Sequence, residues 1–241
     1  MKILCIGDDF ISTDNFFSDA GDKVAYWSSI IGTQFLSEYY CEGMNGRTLS
    51  ETADIINVKI EEYEPNLVIF SGGINDFKNE LPTNNLSQKV KTTIDRIISL
   101  GLDCIYLLMP MRDEDKIKEK KYSRFAMECI NLNFSANYKP ILSFLNGQLG
   151  VIGRLREDMF IQDLMLSSTG HFFVAEMISK FIYKYIIPSK TVDFSNLSGV
   201  ICVNQKSMLI NVGTENNPIY KEIHVNSTDN NVARVSVEWR F

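Results

Sequence analysis

Histidine is the scarcest chemistry in this chain: 241 residues contain two, His171 and His224. Any mechanism that needs an imidazole base has only those places to find one. Long apolar runs are missing as well, and nothing approaches the run of about 20 residues that a membrane-spanning helix requires. A basic excess is also absent. The formal net charge is −6 and the pI is near 5.1, which argues against a phosphate-backbone partner. Neither a nucleic acid nor a membrane is therefore expected as a partner. The five cysteines, at positions 5, 41, 104, 129 and 202, form no Cys-x-x-Cys pair and are odd in number. They read as buried small hydrophobes rather than as disulfides or metal ligands. The first strand is expected to begin at residue 2 or 3, leaving no room for a charged leader and a cleavage site. A cytoplasmic location follows as the expectation, with incorporation into a larger particle assembled there as a variant.

The hydrophobic share, 45%, is enough for one substantial core or for a core with a small appendage. Over residues 1–187 short apolar runs alternate with amphipathic stretches, the pattern of a parallel sheet with crossover helices. Strands are expected at 2–6, about 38–41, Leu67–Ser71, Cys104–Met109 and about 140–145. Helical spacing marks Trp27–Leu36, Leu49–Glu62, Leu86–Leu100, Glu119–Asn133 and His171–Ile187. Gly101 closes one of these helices and Pro188 ends the last.

After Pro188 helical periodicity fades. Val200–Val203, Met208–Val212 and Pro218–Val225 read as short strands, and Asn226–Asn231 as a polar turn. The closing run alternates Val235, Val237, Trp239 and Phe241 with polar residues, as a half-buried antiparallel strand does. The expected organisation is a main domain over 1–188 and a small antiparallel β appendage over 189–241. So small an appendage should pack on the main domain or on a partner.

Four spaced elements carry the chemistry. Gly7-Asp8-Asp9 follows the first strand directly. Gly43-Met-Asn-Gly46-Arg-Thr48 opens a helix after the second. Ser71-Gly-Gly73-Ile-Asn75-Asp76 follows the third, and Gly170-His171 with Ala175 begins the last helix. In order and spacing this set resembles the SGNH (GDSL-like) hydrolases, over about residues 1–187. The resemblance implies a flavodoxin-like three-layer α/β/α sandwich with a parallel sheet. It also implies ester hydrolysis by a serine in the first turn, an oxyanion hole made by a glycine N–H and an asparagine amide, and an Asp-x-x-His pair before the last helix.

Position by position, Gly46 matches the oxyanion glycine and Asn75 the oxyanion asparagine. Asp9 stands where the nucleophilic serine belongs. Registering the fourth element on Gly170-His171 puts the family's acid at Gln162 and its histidine at Met165. A shift by one residue recovers Asp163 as acid but leaves Leu166 at the base. Neither register yields a histidine, and His171 matches a structural position at the helix start.

Each residue also has a plainer reading. Asp9 can cap the following helix or bond local N–H groups; with a dead site, an Asp9–Asn75 hydrogen bond would replace the lost oxyanion contact. Alternatively Asp8, Asp9 and Asp76 converge on Mg²⁺ or Ca²⁺, although no spaced ligand loop supports a metal, and no cofactor is expected. Ser12 is a displaced-nucleophile candidate without a base. Aromatics including Phe16, Phe17, Tyr26, Trp27 and Phe172 fit core and helix faces, with a carbohydrate-stacking platform as the other possibility.

The expectation is a catalytically inactive SGNH-like protein used for assembly or binding, in a phage-like virion or a homo-oligomer, associating through the β appendage. The alternative is an esterase acting on carbohydrate or lipid esters with non-standard catalytic residues.

Overall fold

The computed structural model describes residues 1–12, 26–145, 147, 149–162, 165–187, 200–204, 207–211, 220–227 and 233–236. The chain divides into two compact units, Met1–Pro188 and Ser189–Phe241.

The first unit is built on five parallel strands: β1 (Lys2–Gly7), β2 (Glu38–Gly43), β3 (Leu67–Ser71), β4 (Asp103–Leu108) and β5 (Ile141–Ser143). Their order across the sheet is β2-β1-β3-β4-β5. This is the flavodoxin-like order, whose switch point lies between β1 and β3. All five residues of β3 are buried, as are all but the first of β1 and of β4. Strands covered on both faces need continuous apolar sequence rather than alternation. Each such aliphatic side chain contributes roughly 1.5–3 kcal/mol on burial.

Helices flank the sheet: α1 (Trp27–Gln34), α2 (Leu49–Tyr63), the short α3 (Ile74–Lys78), α4 (Leu86–Ser99), α5 (Lys116–Asn131) and α6 (Ser168–Phe181). α1 packs with α6, while α4 packs with both α2 and α5. α4 buries Leu86, Val90, Ile94 and Ile97, one stripe at helical spacing. At the start of α2, Thr48 and Glu51 form a reciprocal capping box. A π-helical turn, Ile182–Ile186, extends α6. Among the described residues no helix is long and apolar enough to cross a membrane.

The expected boundaries shift where side chains cap the backbone. Asp115 accepts a hydrogen bond from Ile117 N (2.8 Å), so α5 begins at Lys116 rather than 119. Ser167 accepts from Gly170 N (3.1 Å), so α6 begins at Ser168 rather than 171. β2 runs on to Gly43 against Gly7 of β1. Between β5 and α6 the backbone forms two small hairpins, β6 (Gly150–Val151) with β7 (Arg154–Leu155) and β8 (Phe160–Gln162) with β9 (Met165–Leu166).

The second unit is an antiparallel sheet in the order β10 (Val200–Asn204), β11 (Ser207–Asn211), β12 (Tyr220–Ser227), β13 (Ala233–Ser236). β12 includes Asn226 and Ser227, paired with Arg234 and Ala233, so these two residues are strand rather than turn; the rest of the expected turn, 228–231, lies outside the described residues. Residues 237–241, at the end of the expected closing strand, lie outside the described residues.

Candidate functional site, an oxyanion hole filled by Asp9

The C-terminal ends of β1, β2 and β3 meet at one edge of the sheet, and each carries one piece of the site. Gly7 leaves β1 at φ 154°, and a Cβ there would stand 2.5 Å from Ser71 O, so this close approach of β1 and β3 requires glycine. The chain then turns: Asp8 O accepts from Ile11 N and Ser12 N, both at 3.0 Å. This turn presents Asp8 inward and Asp9 toward the site.

Asp8 is buried, and its Oδ1 accepts from Phe10 N (3.3 Å) and from the Ser71 hydroxyl. Burial pushes its carboxyl up to about 7, opposed by the Ser71 hydrogen bond and reinforced by the neighbouring Asp9 charge.

Asp9 Oδ2 accepts two hydrogen bonds, from Gly46 N (3.2 Å) and from Asn75 Nδ2 (2.6 Å). Gly46 sits at φ 75°, a left-handed conformation that favours glycine and aims its N–H at Asp9. The Gly43–Thr48 loop is held from below, since Met44 N donates to Gly7 O (3.0 Å) and the Arg47 guanidinium donates to Glu42 O and Gly7 O. Asn75, buried on α3, also donates to Arg47 O (3.1 Å). The turn before α3 is fixed by Tyr106, whose hydroxyl donates to Gly72 O (2.7 Å). Asp76 Oδ2 accepts Leu49 N (2.8 Å), tying α3 to the first residue of α2. Burial raises the Asp76 carboxyl, opposed by that Leu49 bond.

Asp9, Gly46 and Asn75, distant in sequence, thus come together, and the Asp9–Asn75 hydrogen bond is formed. Two donors converging on one oxygen is the geometry of an oxyanion hole. Here the oxygen belongs to the protein's own carboxylate. A substrate carbonyl would have to displace a charge-assisted pair before receiving either donor.

The base side is different. Gln162 and Met165 face each other across the β8–β9 hairpin, and Asp163 lies outside the described residues. Asp9 has no histidine partner among the described residues. His171 Nδ1 accepts from Trp27 N (3.4 Å), and its ring packs 4.7 Å from Tyr26. Burial lowers its pKa to about 3, so it stands neutral as a structural group of α6. His224 belongs to β12 of the second unit. The metal alternative finds no cluster: Asp8, Asp9 and Asp76 are each engaged by different donors. Among the described residues no group of three His, Cys, Asp or Glu could hold an ion. Ser12 is buried, and its carbonyl accepts the Tyr26 hydroxyl (2.5 Å). Of the aromatics, Trp27 is core and bonds Phe10 O (2.8 Å), Phe172 is exposed, and Phe16 and Phe17 lie outside the described residues.

Three contributors escaped the sequence reading: Ser71 as the Asp8 partner, Arg47 as the clamp on the strand ends, and Tyr106 beneath the α3 turn. Ser71 and Arg47 lay inside the spaced motifs and were legible only as spacers. No motif contains Tyr106.

No family model matches the sequence, and no curated protein matches it. Solved structures do. A protein of the G-D-S-L lipolytic family from Desulfitobacterium hafniense superposes with a TM-score of 0.56 at 20% identity, covering 74% of this chain and 98% of that one. A lipase/acylhydrolase from Enterococcus faecalis gives 0.54 at 18%, covering 76% and 95%. A GDSL-like lipase from Bacteroides thetaiotaomicron gives 0.57 at 13%, covering 76% and 88%. With its 2-1-3-4-5 parallel sheet and flanking helices, the chain has the fold of the SGNH (GDSL-like) hydrolases.

Proposed function

We propose that this protein is a non-catalytic SGNH-fold protein that serves in binding or assembly. One observation carries the reading: the Asp9 carboxylate occupies the oxyanion hole, taking both the Gly46 N–H and the Asn75 amide. A carboxylate cannot stand in for a serine alkoxide in acyl transfer, and in either register of the fourth element the position of the base holds no histidine, being Met165 or Leu166. Because a catalytic triad acts as a unit, its loss removes orders of magnitude in rate.

A role in assembly, as a component of a phage-like particle or as a homo-oligomer, draws its support from the C-terminal sheet. The pairing register places Cys202, Met208, Ile223, Val225 and Val235 on one side of it, a mostly apolar face. A single sheet with one apolar face requires a second layer.

The test is turnover of short-chain aryl esters by the purified protein. No rate above a heat-killed control is expected, and Asp9→Ser alone should not create one, because no base accompanies it. Turnover abolished by Asn75→Ala would instead favour an ester hydrolase with non-standard residues. That second reading rests on the lipolytic structures sharing the fold and on the retained Gly46 and Asn75 donors.

A further inference from the structure

In the parallel register of β1 and β2, Cys5 lies directly opposite Cys41. Residues paired this way project to the same side of the sheet, so the two thiols are neighbours there. Cys41 Sγ also stands 3.2 Å from the Ser28 hydroxyl of α1. Neighbouring strands run about 4.7–4.9 Å apart, inside the roughly 4.4–6.8 Å that a disulfide spans between Cα atoms. Closing the bond requires the two Cβ atoms to come within about 3.5–4.5 Å.

The two sulfurs are unequal. Cys5 is 1% exposed, whereas Cys41 is half-buried, so a reagent from solvent meets Cys41 first. The Cys5 thiol, and then the Ser28 hydroxyl, draw the Cys41 pKa down against the opposing effect of burial. Cys104 and Cys129 have their pKa values pushed up by burial. Cys41, the more exposed of the two, is the sulfur that attacks first, as its thiolate.

We propose that Cys5 and Cys41 are a reversible dithiol–disulfide pair, a redox modification site that reacts with low-molecular-weight disulfides. In the first step the Cys41 thiolate attacks one sulfur of the small disulfide. A mixed disulfide forms and one thiolate departs. Cys5 then passes its proton to a departing thiolate and attacks Cys41 Sγ, forming the Cys5–Cys41 bond and releasing the second small thiol. Two protein thiols are oxidised, and one small disulfide is reduced to two thiols. The new bond joins the two strands whose ends lead to Asp9 and Gly46. It is independent of whether the Asp9 site turns over esters.

The experiment uses the full chain incubated with oxidised glutathione, then acid-quenched, denatured, blocked with N-ethylmaleimide, digested without reductant and mapped by mass spectrometry. The expected result is a Cys5–Cys41 linked peptide, with loss of maleimide label at both positions and recovery of both after dithiothreitol. Cys104 and Cys129 should stay labelled. Cys5→Ser should stop at glutathione on Cys41. Maleimide on both residues of the wild-type chain, glutathione held on Cys41 with Cys5 still labelled, or Cys41 linked to another cysteine would each overturn the proposal. Because the wild-type map decides the matter by itself, a variant that fails to fold leaves the test intact.

Discussion

Among single residues, the proposed loss of catalysis rests on Asp9. Its Oδ2 takes both donors that an oxyanion would need. Asn75→Ala removes a charge-assisted bond and leaves both Asp9 and the Arg47 carbonyl short of a partner; a loss of about 1–3 kcal/mol in urea denaturation is expected. Asp8 gives a pH signature. Its folded pKa, about 7, lies above the ordinary carboxylate value. Between roughly pH 4 and 7 the folded state therefore holds a proton that the unfolded state has released, and stability falls as pH rises through that window. Asp8→Asn removes this dependence. The variant should gain on wild type by about 1–3 kcal/mol between pH 4.5 and 7.5, read from denaturation midpoints at the two pH values. His171 works in the opposite sense. With its pKa lowered to about 3, the unfolded state takes up a proton first, so stability falls as pH drops below about 6.5. In Asp8→Asn this acid-side loss should persist.

At the scale of elements, caps place the site. α2 begins at Leu49 because Thr48 and Glu51 satisfy each other's backbone donors. The same helix start donates Leu49 N to Asp76, which fixes α3 and with it Asn75. Thr48→Ala should cost about 1 kcal/mol of stability and loosen the Asn75–Asp9 contact. Equilibrium denaturation measures the first effect, and hydrogen exchange at residues 46–49 and 75 measures the second. Elements with a clear period were legible in the sequence: the buried run of β3 and the apolar stripe of α4 read directly. α3 was not, since five residues hold too little period to distinguish a helix from a turn. The hairpins between β5 and α6 left no mark in the sequence, because strands of two or three residues hold no alternation. Helix starts were missed by about a turn where Asp115 and Ser167 act as caps before the apolar pattern begins.

For the molecule as a whole, the alternation of apolar runs with amphipathic stretches pointed to a parallel sheet with crossover helices, and the family resemblance carried by the four motifs implied its flavodoxin-like layering. The motifs carried the Asp9–Asn75 hydrogen bond but not the second donor to Asp9, the Gly46 N–H. That depends on the Gly46 conformation and on the Arg47 clamp, which no spacing encodes. The C-terminal sheet sets a separate expectation. With Met208, Ile223 and Val225 on one side by register, the protein should self-associate through that face, its mass by sedimentation rising with concentration. Ile223→Asp should shift it toward the monomer, while a monomer at every concentration would remove the support for self-assembly.

Asp9 is proposed to fill the oxyanion hole from within. The side-chain amide of Asn75 reports on it directly, by NMR of the ¹⁵N-labelled protein, with the signal assigned by its disappearance in Asn75→Ala. In wild type the Asn75 amide proton should be protected from exchange and displaced downfield, returning to ordinary exposed-asparagine behaviour in Asp9→Ala. An Asn75 amide that exchanges freely in wild type and is unchanged by Asp9→Ala would contradict that role of Asp9.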